Sequence, residues 1–230
     1  MKKINLVAVM LFCGVTLFAQ AVKDRNVIPV AVNLNQVLRM TITNGGNIEF
    51  VFNTIDDYKN GLSSEAASNA QNPAGTVGFY KTDFTISSST RWLLNYGAEQ
   101  ASFLGTDNPA TTFALDNVGF TITHVGGDAF ETPGSAQGST NTASLYSAPT
   151  DNASEVTALQ AYPVALIEDN GTDAANAGDA ADLSFTLNWR CGTAEQGAVN
   201  PMNAVKLIDQ NPSPAPDRYV VNVLFDLVMI

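Results

Sequence analysis

The sequence predicts an all-β fold, an antiparallel β-sandwich of about eight or nine strands with one short helix and two long loops. Three observations predict it. Short runs rich in Val, Ile, Thr, Phe and Tyr recur along the chain, separated by clusters of Gly, Asn, Asp, Pro and Ser. Several runs alternate apolar and polar residues with period two, as in a strand with one face on a core and one on water. Hydrophobic residues make up 45% of the 230 and charged residues 14%, enough apolar surface for a packed core without metals or disulfides.

Residues 1–21 read as a secretory signal peptide. Lys2 and Lys3 precede an apolar stretch from Leu6 to Phe18, and Ala19-Gln20-Ala21 supplies small residues for cleavage. The stretch is shorter than the ~20 residues that span a bilayer. Phe12 precedes Cys13, where lipid attachment needs a small residue. Residues 22–230 are then one sandwich domain in the periplasm, at the outer membrane or outside the cell, with no direct membrane span. Losing the two lysines moves the formal charge from −11 to −13. Such acidity argues against nucleic acid and against docking by charge on an anionic membrane. Cys191 is left alone, a buried thiol at the end of a strand rather than half of a disulfide.

Val27 to Leu34 is the first predicted strand, with Pro29 marking an edge or bulge. Val37 to Thr43 and Ile48 to Phe52 flank Asn44-Gly45-Gly46-Asn47, the signature of a hairpin turn. In the second run Ile48, Phe50 and Phe52 share a face. Thr54 then caps a helix of one or two turns, with Asp56 and Asp57 at its positive end and Gly61 placed to stop it. Further strands are predicted at residues 77–87, 91–96, 117–125, 162–167 and 183–190. Leu183, Phe185, Leu187 and Trp189 point one way in the last of these, and Ser184, Thr186 and Asn188 the other. The final run, Arg218 to Ile230, is apolar on both sides, which predicts a central strand or one covered by a partner. Residues 126–155 and 169–182, rich in small and polar residues, form the two long loops.

Little in the chain points to catalysis. Nucleophilic chemistry needs a base beside the nucleophile, and the single His, His124, sits at a strand end where a neighbour would satisfy it. One His and one Cys do not make a zinc site. Carboxylates are plentiful, but they fall mainly in polar loops, so a glycosidase-like pair is the third-ranked reading. The second is a calcium- or carbohydrate-binding module. Asp169, Asp173 and Asp179 offer calcium several oxygen ligands in one segment, though not at EF-hand spacing. Trp92, Tyr96, Trp189 and Tyr146 offer a sugar platform. Asn152-Ala153-Ser154 and Asn170-Gly171-Thr172 match the weak glycosylation pattern. The first is a non-enzymatic, cofactor-free structural or interaction subunit with a protein partner in the cell envelope. A sandwich can bind such a partner by strand addition. The candidate contact residues are Val221, Val223, Phe225 and Leu227 of the final run.

Two stretches carry a resemblance: Asn33-Leu34-Asn35-Gln36-Val37-Leu38, and Ile48 to Gly61 with its Phe52-Asn53-Thr54 and Asp57-Tyr58-Lys59-Asn60-Gly61 segments. Together with Phe18-Ala19-Gln20 they resemble exported β-sandwich proteins of the Bacteroidota. The resemblance implies a pilin-like or surface structural role. In size and compartment the chain is also similar to the plug of a secretion translocon, that of type IX secretion. Because the sequence runs out on an apolar strand, the chain is expected to differ from type IX cargo, which looks to carry an extra sorting domain at its C-terminus.

Overall fold

The computed structural model describes residues 28–64, 80–125, 145–147, 156–169, 176–197 and 200–230. They are mainly β, in three antiparallel sheets, the all-β sandwich predicted from the sequence. The compact unit runs from Gln36 to Ile230. Residues 28–35 belong to a separate unit. Among the described residues no helix is long and apolar enough to cross a membrane.

The largest sheet joins β1 (Leu38–Asn44), β3 (Lys81–Ser88), β11 (Ser184–Cys191), β7 (Val118–Val125) and β9 (Thr157–Ala158), with β2 (Leu62–Ser63) also on β11. The second runs β13 (Val223–Met229), β4 (Trp92–Ala98), β10 (Val164–Asp169), β8 (Leu145–Ser147). A small third sheet joins β12 (Tyr219–Val220), β5 (Ser102–Gly105) and β6 (Thr112–Ala114).

Period two sets which residues face the core. In β3, Thr82, Phe84, Ile86 and Ser88 are buried and the residues between them are half-exposed. In β11, Phe185, Leu187 and Trp189 are buried, with Leu183 just before it. Across the sandwich, Trp92 of β4 meets Phe185 of β11 edge-on at 6.2 Å, and Tyr96 meets Phe120 of β7 at 5.2 Å. Phe225 of β13 lies 6.0 Å from Phe84 of β3. These pairs join the two large sheets through one core. A register shift between Ala165 and Ile167 in β10 lets the consecutive Leu166 and Ile167 both be buried.

The helix forms as predicted. α1 (Ile55–Asn60) has Thr54 at its N-cap, whose hydroxyl accepts from the Asp57 N–H at 3.2 Å. The Asp57 carboxylate accepts from the Asn53 and Thr54 amides at 2.9 and 2.8 Å, completing a capping box. Gly61, at φ +72, ends the helix; a side chain there would strike the backbone at Gly192 and Thr193.

Four expectations are corrected. Residues 28–34 are in neither strand nor helix. No β1–Ile48 hairpin forms. Gly45 turns the chain at φ +67, but its carbonyl accepts from the Thr82 hydroxyl at 2.8 Å, which ties the turn to β3. β1 takes β3 as its partner, Met40 opposite Ile86. The C-terminal run is not central. It divides into β12 and β13, and β13 is an edge strand hydrogen-bonded only to β4 among the described residues. Its inner residues Val223, Phe225 and Leu227 are accordingly only half-buried, and Leu224 and Val228 are exposed. Finally, residues 126–155 are not all loop: β8 lies within them and pairs with β10; like those of β5 and β6, its few residues carry too little periodicity to read.

Candidate functional site

Among the described residues no strand pairs with the outer edge of β13. A cleft of about 690 Å³ opens between residues 45–52 on one side and 214–225 on the other. Ile48, Phe50 and Phe52 face the core, half-buried, while Glu49 and Val51 between them are exposed. This is the alternation of a strand. Yet among the described residues no backbone hydrogen bond joins Ile48–Phe52 to any neighbour. Ring packing holds the run instead: Phe50 stacks on Tyr80 at 4.5 Å, and Phe52 packs at a tilt on Tyr58 at 5.2 Å. The opposite wall is Val221, Val223 and Phe225. The third sheet adds Phe103 and Phe113, themselves edge-on at 5.8 Å, with Tyr219 stacked on Phe113 at 5.4 Å.

Polar groups gather at the rim and are already occupied. Arg218 donates to Glu49 at 3.1 Å across the opening, both exposed. The Asp217 carboxylate accepts from the amides of Arg218 at 2.7 Å, Asp107 at 3.0 Å and Asn108 at 3.2 Å, and from the Thr111 hydroxyl at 2.8 Å. The Asp107 amide does most to hold this carboxyl below its ordinary pKa of 3.8; burial opposes it, and the Thr111 hydroxyl and the Asn108 and Arg218 amides lower it further. The contacts pin the loop after β5 to the start of β12. Gly105 is required there, since a Cβ would lie 2.1 Å from the Asp217 carboxylate and 2.2 Å from the Thr111 hydroxyl.

A pH dependence follows. A carboxyl depressed by folding contributes stability above its unfolded pKa, and loses it as pH falls through the folded value. Asp217→Asn is therefore expected to lower the melting temperature at neutral pH. The gap between variant and wild type should close below about pH 4. Thermal melts at pH 7 and pH 3 check this; a gap that stays constant would contradict the assignment.

The structure brings Val221, Val223 and Phe225, three of the four predicted contact residues, into the cleft wall. Leu227 packs on the core opposite Leu94 instead. The sugar platform does not form: Trp92 and Tyr96 are fully buried and Trp189 nearly so, because each points inward from its strand. The side chain of Tyr146 lies outside the described residues. So do Asp173 and the side chain of Asp169. Asp179 accepts from the Ala181 and Asp182 amides at 2.8 and 3.3 Å, as a turn residue does. Among the described residues no group of three or more His, Cys, Asp or Glu could hold a metal. The signal-peptide and glycosylation readings also fall outside the described residues.

His124 bonds the Asp182 carbonyl through Nε2 at 2.8 Å and packs on Phe185. Cys191 is buried, and desolvation pushes its thiol pKa up, which keeps it protonated. Sequence reasoning missed Ile48, Phe50, Phe52, Phe103 and Phe113 as site residues. The shared face of the first three was legible, but that the run has no backbone partner among the described residues was not. Compared with known proteins, the chain matches no family model and no curated protein.

Proposed function

We propose that this protein is a non-enzymatic, exported structural or protein-interaction subunit, whose apolar cleft beside β13 receives a strand-like segment of a protein in the cell envelope. One observation carries this reading: Ile48–Phe52 has the alternating burial of a strand but no backbone pairing among the described residues, and it faces the edge strand β13 across an apolar cleft. Backbone groups with no partner favour the addition of a strand, and the phenylalanines and valines around them supply pockets for alternate side chains. The charged rim residues already bind each other or backbone amides, which suits a binding surface better than a reacting one. Export rests on the leader read in residues 1–21. A pilin-like subunit and a plug of a secretion translocon are two ways in which such a surface serves at the outer membrane or cell surface.

Val51 lines the cleft and is 44% exposed, so a photo-reactive residue there leaves the core alone. Val205 is equally exposed and lies outside the cleft. In intact cells, irradiation is expected to give a protein adduct from position 51 and none from 205. If position 51 gives none, the cleft is not a protein-binding site.

A further inference from the structure

β13 reads Val223-Leu224-Phe225-Asp226-Leu227-Val228-Met229, apolar throughout except for one acid at its centre. Its pairing with β4 decides which backbone groups it leaves open. Just before the strand, the Asn222 carbonyl accepts from the Glu99 amide at 2.9 Å; just after it, the Ile230 amide donates to the Arg91 carbonyl at 3.2 Å. Bonding sides alternate along an antiparallel strand, so the even-numbered residues bond β4. Val223, Phe225, Leu227 and Met229 turn their N–H and C=O groups to the outer edge. On one face Val223, Phe225 and Leu227 pack on the core, and on the other Leu224, Asp226 and Val228 are exposed. Among the described residues the Asp226 carboxylate takes one hydrogen bond, from the Tyr162 hydroxyl to Oδ2 at 3.0 Å.

An apolar edge of this kind is a template for a copy of itself. The antiparallel register that uses the whole strand has its twofold axis at position 226. It sets Val223 opposite Met229, Leu224 opposite Val228 and Phe225 opposite Leu227, apolar against apolar. At the axis it sets Asp226 against the partner's Asp226. The outward bonds belong to the odd-numbered residues, so this is a non-bonded pair, the closest approach in the ladder at about 4.5 Å between Cα atoms. Like charges directly opposite are destabilising, and opposite charges are stabilising.

We propose that Asp226 selects the strand that adds to β13: it rejects a second copy of β13 and accepts a strand that carries Lys or Arg opposite position 226, between apolar residues. The proposal rests on the reading above that a strand is received beside β13, and gives the charge that this strand carries. Oδ1 faces no donor among the described residues and can take the cation while Oδ2 keeps the Tyr162 hydroxyl. Leu224 and Val228 on either side supply the apolar contacts on the same face. One carboxylate thus leaves the edge open to a basic partner and closed to self-pairing, which an apolar residue at this position would favour.

Charge reversal tests both halves of the proposal on the full chain. In sedimentation equilibrium an equimolar mixture of wild type and Asp226→Lys should form a heterodimer, with an association constant about tenfold or more above that of either protein alone. Asp226→Val should form a homodimer with a similar gain. Asp226 is exposed, so the fold is not at stake. Asp226→Asn keeps an acceptor for Tyr162, removes the charge and should also associate more than wild type. A wild-type chain that dimerises as tightly as the valine variant overturns the proposal, and so does a mixture no tighter than its components. The adduct from position 51 is read separately. An adduct with a flat charge series removes the role of Asp226 and leaves the cleft reading standing, whereas the expected charge series without an adduct supports a selective edge and removes the cleft as a protein-binding site.

Discussion

Truncating Phe84 to alanine is expected to destabilise the sandwich by about 4 kcal/mol, the usual scale for deleting a buried aromatic ring and leaving its cavity. Phe84 is fully buried, stacks on Phe185 at 5.1 Å within its own sheet and meets Phe225 of the opposite sheet at 6.0 Å. Its loss removes a contact that ties β13 to the core, beside the cleft. For a chain of this size the melting temperature should fall by roughly 10 °C or more. Phe84→Leu should recover most of this, because it keeps apolar volume. A Phe84→Ala shift of only one or two degrees would mean that the core has another centre.

Replacing Asn176 by alanine is expected to cost about 3 kcal/mol, although Asn176 belongs to a segment that the sequence marks only as loop. The side chain is fully buried. Its Oδ1 accepts from the Trp92 amide at 2.9 Å and its Nδ2 donates to the Trp92 carbonyl at 2.8 Å, in the manner of one more strand residue beside β4. The Trp92 indole N–H donates to the Asn176 carbonyl. Alanine leaves two buried backbone groups of Trp92 unpaired, each costing about 1–3 kcal/mol. Asn176→Asp should not rescue the loss, since it keeps the acceptor, loses the donor and places a carboxyl in the core. Urea unfolding of the three proteins checks this; an alanine variant within 1 kcal/mol of wild type, on the scale of an ordinary surface change, would show that water replaces the amide.

Much of the site was legible and its decisive part was not. The contact face Val221, Val223, Phe225 could be named because period two places alternate side chains together whatever the strand pairs with. The same rule showed Ile48, Phe50 and Phe52 on one face. It could not show that β1 would turn to β3 across some forty residues, leaving Ile48–Phe52 beside an open cleft. Trp92, Tyr96 and Trp189 looked equally fit for a sugar platform or a core, since aromatic residues suit both. Only the opposing sheet, which brings Phe185 and Phe120 onto the first two, decides between them.

The sequence by itself determined the all-β class, the inward face of most long strands, and the capped helix from Thr54 to Gly61. Each depends on residues a few positions apart, through alternation, side-chain capping or a positive φ. The tertiary structure alone decided which strands pair, that β13 is an edge among the described residues, that Asn176 completes β4, and that an apolar cleft lies beside β13. Pairing is chosen by competition between segments far apart in the chain, and a run of residues carries its own face but not the identity of the neighbour that covers it.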